Sequence, residues 1–188
     1  SYCKSFFQKG NKKIGIARAG NVIGGGDWSE DRLVPDCIKS WSRKKKVILR
    51  NPKSTRPWQH VFEAIFGYLI LAIKLKKNSQ LHGEAFNFGP NNKDNKSVLD
   101  VVLEMKKTWK AVTWSVKTQK KNLRESKLLK LNSNKAKVKL NWKTTLNFKE
   151  SIKMTIDWYR NFYERKENNF IFSINQILNY EKKMRNKL

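Results

Sequence analysis

Four glycines within seven residues, Gly20 followed by Gly24, Gly25 and Gly26, interrupt the stretch IGIARAGNVIGGGDWSEDRLVP, residues 14–35, and constrain the fold more than any other feature of the chain. Ahead of them runs a short apolar segment, Ile14, Ile16 and Ala17, whose length suits a buried strand rather than a helix. Glycine permits positive φ and lets backbone N–H groups approach a ligand closely. The stretch therefore predicts a strand feeding an irregular polar loop. In open α/β sheets ligands bind beyond the carboxyl ends of the strands, which puts Asn21 and the loop after it where a site is expected. Most glycine-rich turns are merely turns, so the pattern alone is only suggestive.

A second block, Arg50-Asn51-Pro52 and then Thr55-Arg56-Pro57-Trp58-Gln59-His60-Val61, follows the first at a fixed distance. Together with Arg18-Ala19-Gly20-Asn21-Val22-Ile23-Gly24-Gly25-Gly26-Asp27-Trp28 and Asp31-Arg32-Leu33-Val34-Pro35, it resembles the nucleotide-sugar branch of the extended short-chain dehydrogenase/reductase superfamily, and within it the CDP-glucose 4,6-dehydratases. The resemblance implies an α/β fold: the carboxyl-terminal portion of a Rossmann-type NAD(P)-binding domain with a small mixed α/β substrate-binding part. On that reading residues 1–188 belong to one epimerase/dehydratase domain, with 1–35 ending the Rossmann-type sheet, 36–169 forming the substrate-binding portion and 170–188 a terminal helix.

The activity implied is NAD-dependent conversion of CDP-glucose to CDP-4-dehydro-6-deoxyglucose, this chain supplying mainly nucleotide-sugar binding. The family's Tyr-x-x-x-Lys pair is not found, because four residues beyond Tyr2 stands Phe6, and the phosphate-binding glycine fingerprint is also missing. No catalytic residue is therefore assigned. Asp27, Glu30 and Asp31 are carboxylates of a loop-shaping kind. The chain reads as the carboxyl-terminal part of a longer protein, and as inactive alone.

Arg56 is the expected pyrophosphate clamp, since a guanidinium can grip two phosphate oxygens through parallel charge-assisted bonds. The bland alternative is a surface arginine in a proline-bounded turn. Asn21 can donate and accept at once, which suits a sugar hydroxyl, although it could equally satisfy loop backbone at a strand end. The resemblance adds Arg32, Leu33 and Asn87 to the substrate-binding set and puts Ala19 and Gly20 against the nicotinamide of NAD. It also makes Leu33, Val34, Pro35 and residues 47–49 the apolar walls around the base, and brings Lys120, Lys121 and Arg124 near phosphates. His60 reads as a packed structural residue. Cys3 and Cys37 lack metal-ligand spacing, so no metal site is expected.

The formal charge is +26, from 41 basic and 15 acidic side chains, an excess that attracts polyanions. The basic residues are mostly lysines scattered through every segment rather than an arginine-rich stripe among aromatics, so a solvated surface is preferred and nucleic acid is not the expected partner. The expected partner is a CDP-sugar, with a homodimer conceivable for the full-length protein. No apolar run approaches the ~20 residues that span a bilayer, no signal peptide is evident, and a reduced, cytoplasmic setting is expected. Another dehydratase or epimerase of the superfamily, a basic nucleic-acid or membrane-binding module, and a poorly folded remnant stay open as alternatives.

Periodicity predicts the remaining elements. Residues 1–9 read as the tail of a helix, 35–45 as a short helix and 47–49 as a strand. Residues 61–77 read as a helix burying Phe62, Ile65, Phe66, Leu69, Ile70 and Ile73. A strand is expected at 85–88, and a helix at 98–109 capped by Ser97 and burying Val98, Val101, Val102 and Met105. After a strand at 112–116, residues 133–142 followed by 148–163 resemble the family's closing pattern, in which a short helix and Leu-Gly-Trp lead to a longer helix. Between these two helices Asn141 stands where the family usually has glycine, and asparagine tolerates the left-handed conformation. The last segment carries an apolar series, Ile174, Ile177 and Leu178, at helical spacing.

Overall fold

The computed structural model describes residues 5–7, 12–91, 95–109, 112–117 and 131–187. Two parallel strand pairs form its centre. Strand β1 (Ile16–Ala19) pairs with β6 (Ala85–Phe88), and β2 (Asn21–Ile23) with β5 (Trp58–His60). Parallel neighbours cannot be joined by a hairpin, and helix α2 (Val61–Lys77) lies in the crossover from β5 to β6. The Phe88 carbonyl joins the two pairs, accepting from the Gly20 N–H at 3.1 Å and from the Gln59 amide at 2.7 Å.

A third parallel pair, β3 (Val47–Leu49) with β8 (Trp114–Val116), and a two-residue antiparallel pair, β4 (Thr55–Arg56) with β7 (Lys96–Ser97), build the outer part. Helix α1 (Leu33–Ser42) leads into β3. Helix α3 (Val98–Thr108) begins with a reciprocal cap, Ser97 accepting from the Asp100 N–H while Asp100 accepts from the Ser97 N–H. The short α4 (Asn134–Leu140) ends at Asn141, whose φ of 54° and ψ of 30° are left-handed as expected for a stand-in for glycine. Helix α5 (Phe148–Arg160) runs into a π-type turn at Asn161–Arg165, and α6 (Asn169–Arg185) closes the chain. Among the described residues no helix is long and apolar enough to cross a membrane. The helix expected over residues 1–9 falls mostly outside the described residues.

Two apolar clusters hold these elements. One gathers Ile38 and Trp41 of α1, Leu49 of β3, Val101, Val102 and Met105 of α3, and Ile152, Ile156 and Tyr159 of α5. The other gathers Leu71 and Leu75 of α2, Phe86 and Phe88 of β6, and Leu140 and Trp142 from the end of α4. Each cluster draws on segments far apart in the chain.

Three expectations differ from what is observed. The loop expected straight after Gly20 is instead strand β2, because Trp58–His60 offers a parallel partner to its backbone. Arg56, expected in a turn, sits in the short strand β4. Helix α2 buries a shifted face: Glu63, Ala64, Gly67, Leu71 and Leu75 point inward with Phe62, Phe66 and Ile70 half-buried, whereas Ile65, Leu69 and Ile73 are 47%, 57% and 60% exposed. The helix is apolar nearly all round, so periodicity alone selects no side. Close approach does. A methyl group on Gly67 would come within 2.3 Å of the Phe88 ring, and one on Gly15 within 3.3 Å of Leu71, so the small residues set which side lies against the sheet. On α6, too, Ile174, Ile177 and Leu178 are exposed and Tyr180 is the buried residue.

Candidate functional site

The carboxyl ends of β1 and β2 open onto a cavity of about 620 Å³. Gly20 lets the chain pass from one strand to the other, for a Cβ there would lie 2.7 Å from the Pro57 carbonyl oxygen. Ala19, Gly20 and Asn21 form one wall, Arg32 and Leu33 at the start of α1 form a second, and Arg56, Pro57 and Trp58 form a third. The strands thus bring together groups separated by more than thirty positions in sequence. Ala19, Gly20, Asn21, Arg32, Leu33 and Arg56 all line this space. Asn87, expected with them, is not among the lining residues, and its amide donates to the Asn132 carbonyl at 3.1 Å. Lys120, Lys121 and Arg124 lie outside the described residues.

The loop between β2 and α1 is pinned from outside. Gly25 lies flat against Trp158 of α5, where a Cβ would fall 2.1 Å from the indole. The Tyr159 hydroxyl donates to the Asp27 carbonyl at 2.6 Å, and the Trp158 indole N–H donates to the Ser173 hydroxyl of α6 at 2.9 Å. Trp28 packs edge-on to Tyr159 at 5.3 Å, completing an aromatic clasp with Phe162 and Tyr163. The loop thereby holds its polar groups in place at the cavity.

Charge in the cavity is mixed. The Asp27 carboxylate pairs with the Arg32 guanidinium at 3.1 Å and accepts from the Ser29 N–H at 3.0 Å. Burial pushes the Asp27 carboxyl up, but the Ser29 bonds and the Arg32 charge outweigh it and hold the group below the usual carboxylate range. Arg56 Nη1 donates to the Thr55 carbonyl at 2.9 Å. Arg32 and Arg56 both line the cavity, and a guanidinium suits phosphate oxygens.

His60, beneath the site, caps α2 by accepting from the Phe62 N–H at 3.3 Å, and burial pulls its imidazole down to about 4. A ring held neutral in this way is a structural cap. Deeper still, the Glu63 carboxylate accepts from the Thr145 N–H at 2.9 Å and the Leu146 N–H at 2.6 Å, tying α2 to the segment that enters α5.

A second cavity of about 420 Å³ adjoins the first across Asp31, Leu33 and Val98. Its far side is the strand Val47–Leu49 with Arg50, and Asp36 stands on its wall. Sequence reading placed Leu33 and residues 47–49 here but did not single out Asp36, Trp58 or Val98. Val98 sits one residue after a helix cap, and nothing local to it signals a site. Asp36 lies within the first motif and could have been noticed as an acidic residue in an apolar wall.

No family model matches the chain. It is 37% identical over 186 residues to the CDP-glucose 4,6-dehydratase of Salmonella typhimurium, a match covering 96% of this chain and 51% of that protein. The chain thus spans about half the length of the curated relative it matches. Solved structures share its fold. The UDP-glucuronic acid 4-epimerase of Bacillus cereus, in complex with UDP-glucuronic acid and NAD, superposes with a TM-score of 0.69 at 24% identity, covering 86% of this chain and 48% of that one. An epimerase of Methanothermobacter thermautotrophicus gives 0.73 at 18% identity, over 88% and 48% of the two chains. An NAD-dependent NDP-hexosamine 5,6-dehydratase of tunicamycin biosynthesis gives 0.63 at 21% identity, over 79% and 46%. The chain shares the α/β fold of these solved structures.

Proposed function

We propose that this chain, a homologue of CDP-glucose 4,6-dehydratase, forms the nucleotide-sugar-binding wall of such a lyase and corresponds to its carboxyl-terminal part. The observation that carries the reading is the convergence of Asn21, Arg32, Leu33 and Arg56 on one cavity at the carboxyl ends of parallel strands. In it Arg56 grips the diphosphate, Asn21 meets the hexose at the strand end, and the apolar side formed by Leu33 leads toward the base. Residues 1–35 end the Rossmann-type sheet and also carry Asn21, Arg32 and Leu33 of this wall, while residues 36–169 add Arg56, Pro57 and Trp58.

NAD fits this chain along one edge. Ala19 and Gly20 line the cavity, and Pro57 occupies the space that a side chain on Gly20 would take. These two residues would touch the nicotinamide, and the rest of the dinucleotide would have to be held by a glycine fingerprint that this sequence does not contain. When bound, the cofactor supplies hydride transfer. The residues described here bind and orient the sugar nucleotide.

The test is calorimetric titration of the chain with CDP-glucose, for the wild type and for Arg56→Ala. Loss of a charge-assisted phosphate clamp predicts affinity about tenfold or more weaker, with an unchanged melting temperature. If Arg56→Ala binds as tightly as the wild type, or the wild type binds no nucleotide sugar at millimolar concentration, the proposal fails.

A further inference from the structure

We infer that Asp36 selects the base of the nucleotide sugar, its carboxylate accepting a hydrogen bond from the exocyclic amino group of cytosine in the cavity beside Val47–Leu49. The inference rests on the nucleotide-sugar reading above and adds the residue that decides which nucleotide.

The 420 Å³ cavity opens from the main one past Leu33 and Val98, two apolar side chains suited to the faces of a flat ring. Its polar groups come from two places. The first is strand β3. Val47 donates to the Thr113 carbonyl at 3.1 Å, and the Leu49 carbonyl accepts from the Lys117 N–H at 3.2 Å, so residues 47 and 49 both face β8. Along a strand the hydrogen-bonding direction alternates, which turns the N–H and C=O of Ile48 to the opposite edge. Among the described residues no strand pairs there, and Ile48 lines the cavity.

The second is Asp36, in the first turn of α1. Its backbone N–H is bonded to the Arg32 carbonyl at 3.0 Å, but among the described residues no side-chain or backbone donor engages its carboxylate. Partial burial, then the nearby charge of Asp31 and more weakly Glu30, push the carboxyl up, while Lys39 and Arg50 act in the opposite sense. A partly buried carboxylate without a donor is favoured by an N–H that reaches it.

An ionised carboxylate only accepts. Cytosine offers an amino donor at ring position 4, whereas uracil and thymine present a carbonyl acceptor at the same place. The Ile48 N–H can meet a ring acceptor next to that amino group. Cytosine therefore matches the pair, and uracil sets oxygen against oxygen. Discrimination comes from attraction to one base and repulsion of the other.

Binding constants for CDP-glucose and UDP-glucose, measured for the wild type, Asp36→Asn and Asp36→Ala, test the assignment. The wild type should prefer CDP-glucose by about tenfold or more, the scale of one hydrogen bond to a charged group. Asp36→Asn should lower that preference to within about threefold, chiefly by weakening CDP-glucose binding. A wild-type measurement serves if the variants do not fold: the CDP-glucose analogue lacking the 4-amino group should bind more weakly than CDP-glucose, and UDP-glucose more weakly still. A preference unmoved by the variants, or an analogue that binds like CDP-glucose, overturns the role of Asp36 while leaving the site intact. A wild type that binds neither sugar nucleotide instead removes the functional reading, and this assignment with it.

Discussion

Replacing Glu63 by alanine should unmake the joint between α2 and α5. The carboxylate is 1% exposed and accepts from two backbone N–H groups, Thr145 at 2.9 Å and Leu146 at 2.6 Å. Removing it strands two buried donors, each at a cost of ~1–3 kcal/mol. A counterweight exists. Burial pushes the Glu63 carboxyl up, more strongly than the Leu146 and Thr145 N–H groups pull it down, so part of what those bonds contribute is spent on desolvation. The net loss should therefore fall toward the lower end, about 2–3 kcal/mol out of a typical ~5–15. Oε1 accepts from both amides, and Oε2 takes only a longer second contact from Thr145 at 3.1 Å, so Glu63→Gln can keep both main bonds and less than about half that loss is expected. Urea denaturation gives the free energies, and amide hydrogen exchange should show protection lost at Thr145 and Leu146 in particular. A loss below about 1 kcal/mol for alanine, or unchanged exchange at those two amides, would refute the reasoning and mean that the segment is held by its own packing.

Two more consequences are accessible to the same instruments. Gly25→Ala sets a methyl group against the Trp158 indole, which cannot swing away without breaking its bond to Ser173; overpacking of this kind costs about 1–3 kcal/mol, and Trp158→Ala in the same chain should return part of it. Additive losses in that double-mutant cycle would show that the two residues do not meet. Burial depresses His60 to about 4 from its ordinary imidazole value of about 6.5, so the native state favours the neutral ring. Its contribution to stability is complete above pH ~6.5 and is lost as the pH falls toward 4, some 3 kcal/mol in all. The advantage of the wild type over His60→Asn, which can still cap α2, should shrink by about 2 kcal/mol between pH 7.5 and 4.5. A constant gap would exclude a buried neutral ring.

Much of the architecture was legible in the residues themselves because it rests on local chemistry. Ser97 followed by Asp100 makes a reciprocal cap wherever it starts a helix, and Asn141 ends α4 in the left-handed conformation that its short polar side chain tolerates. The spacing of Val101, Val102 and Met105 foretold the buried side of α3, since that helix has a polar side to contrast with it. The two glycine- and arginine-bearing blocks likewise pointed to residues that line one cavity. Other features had no local cause. Helix α2 is apolar on nearly every side, and only the fit of Gly67 against Phe88 determined which side went inward. Asn21 entered a strand because Trp58 lay opposite it, and Asn87, on β6, turned to the Asn132 carbonyl and does not line the cavity. Asp36 gained its meaning from the strand Val47–Leu49 facing it across a second cavity. Helix ends and turns depend on a few adjacent residues, so sequence determined them. Faces, strand partners and cavity walls depend on distant surfaces meeting in close packing, and only the tertiary structure could decide those.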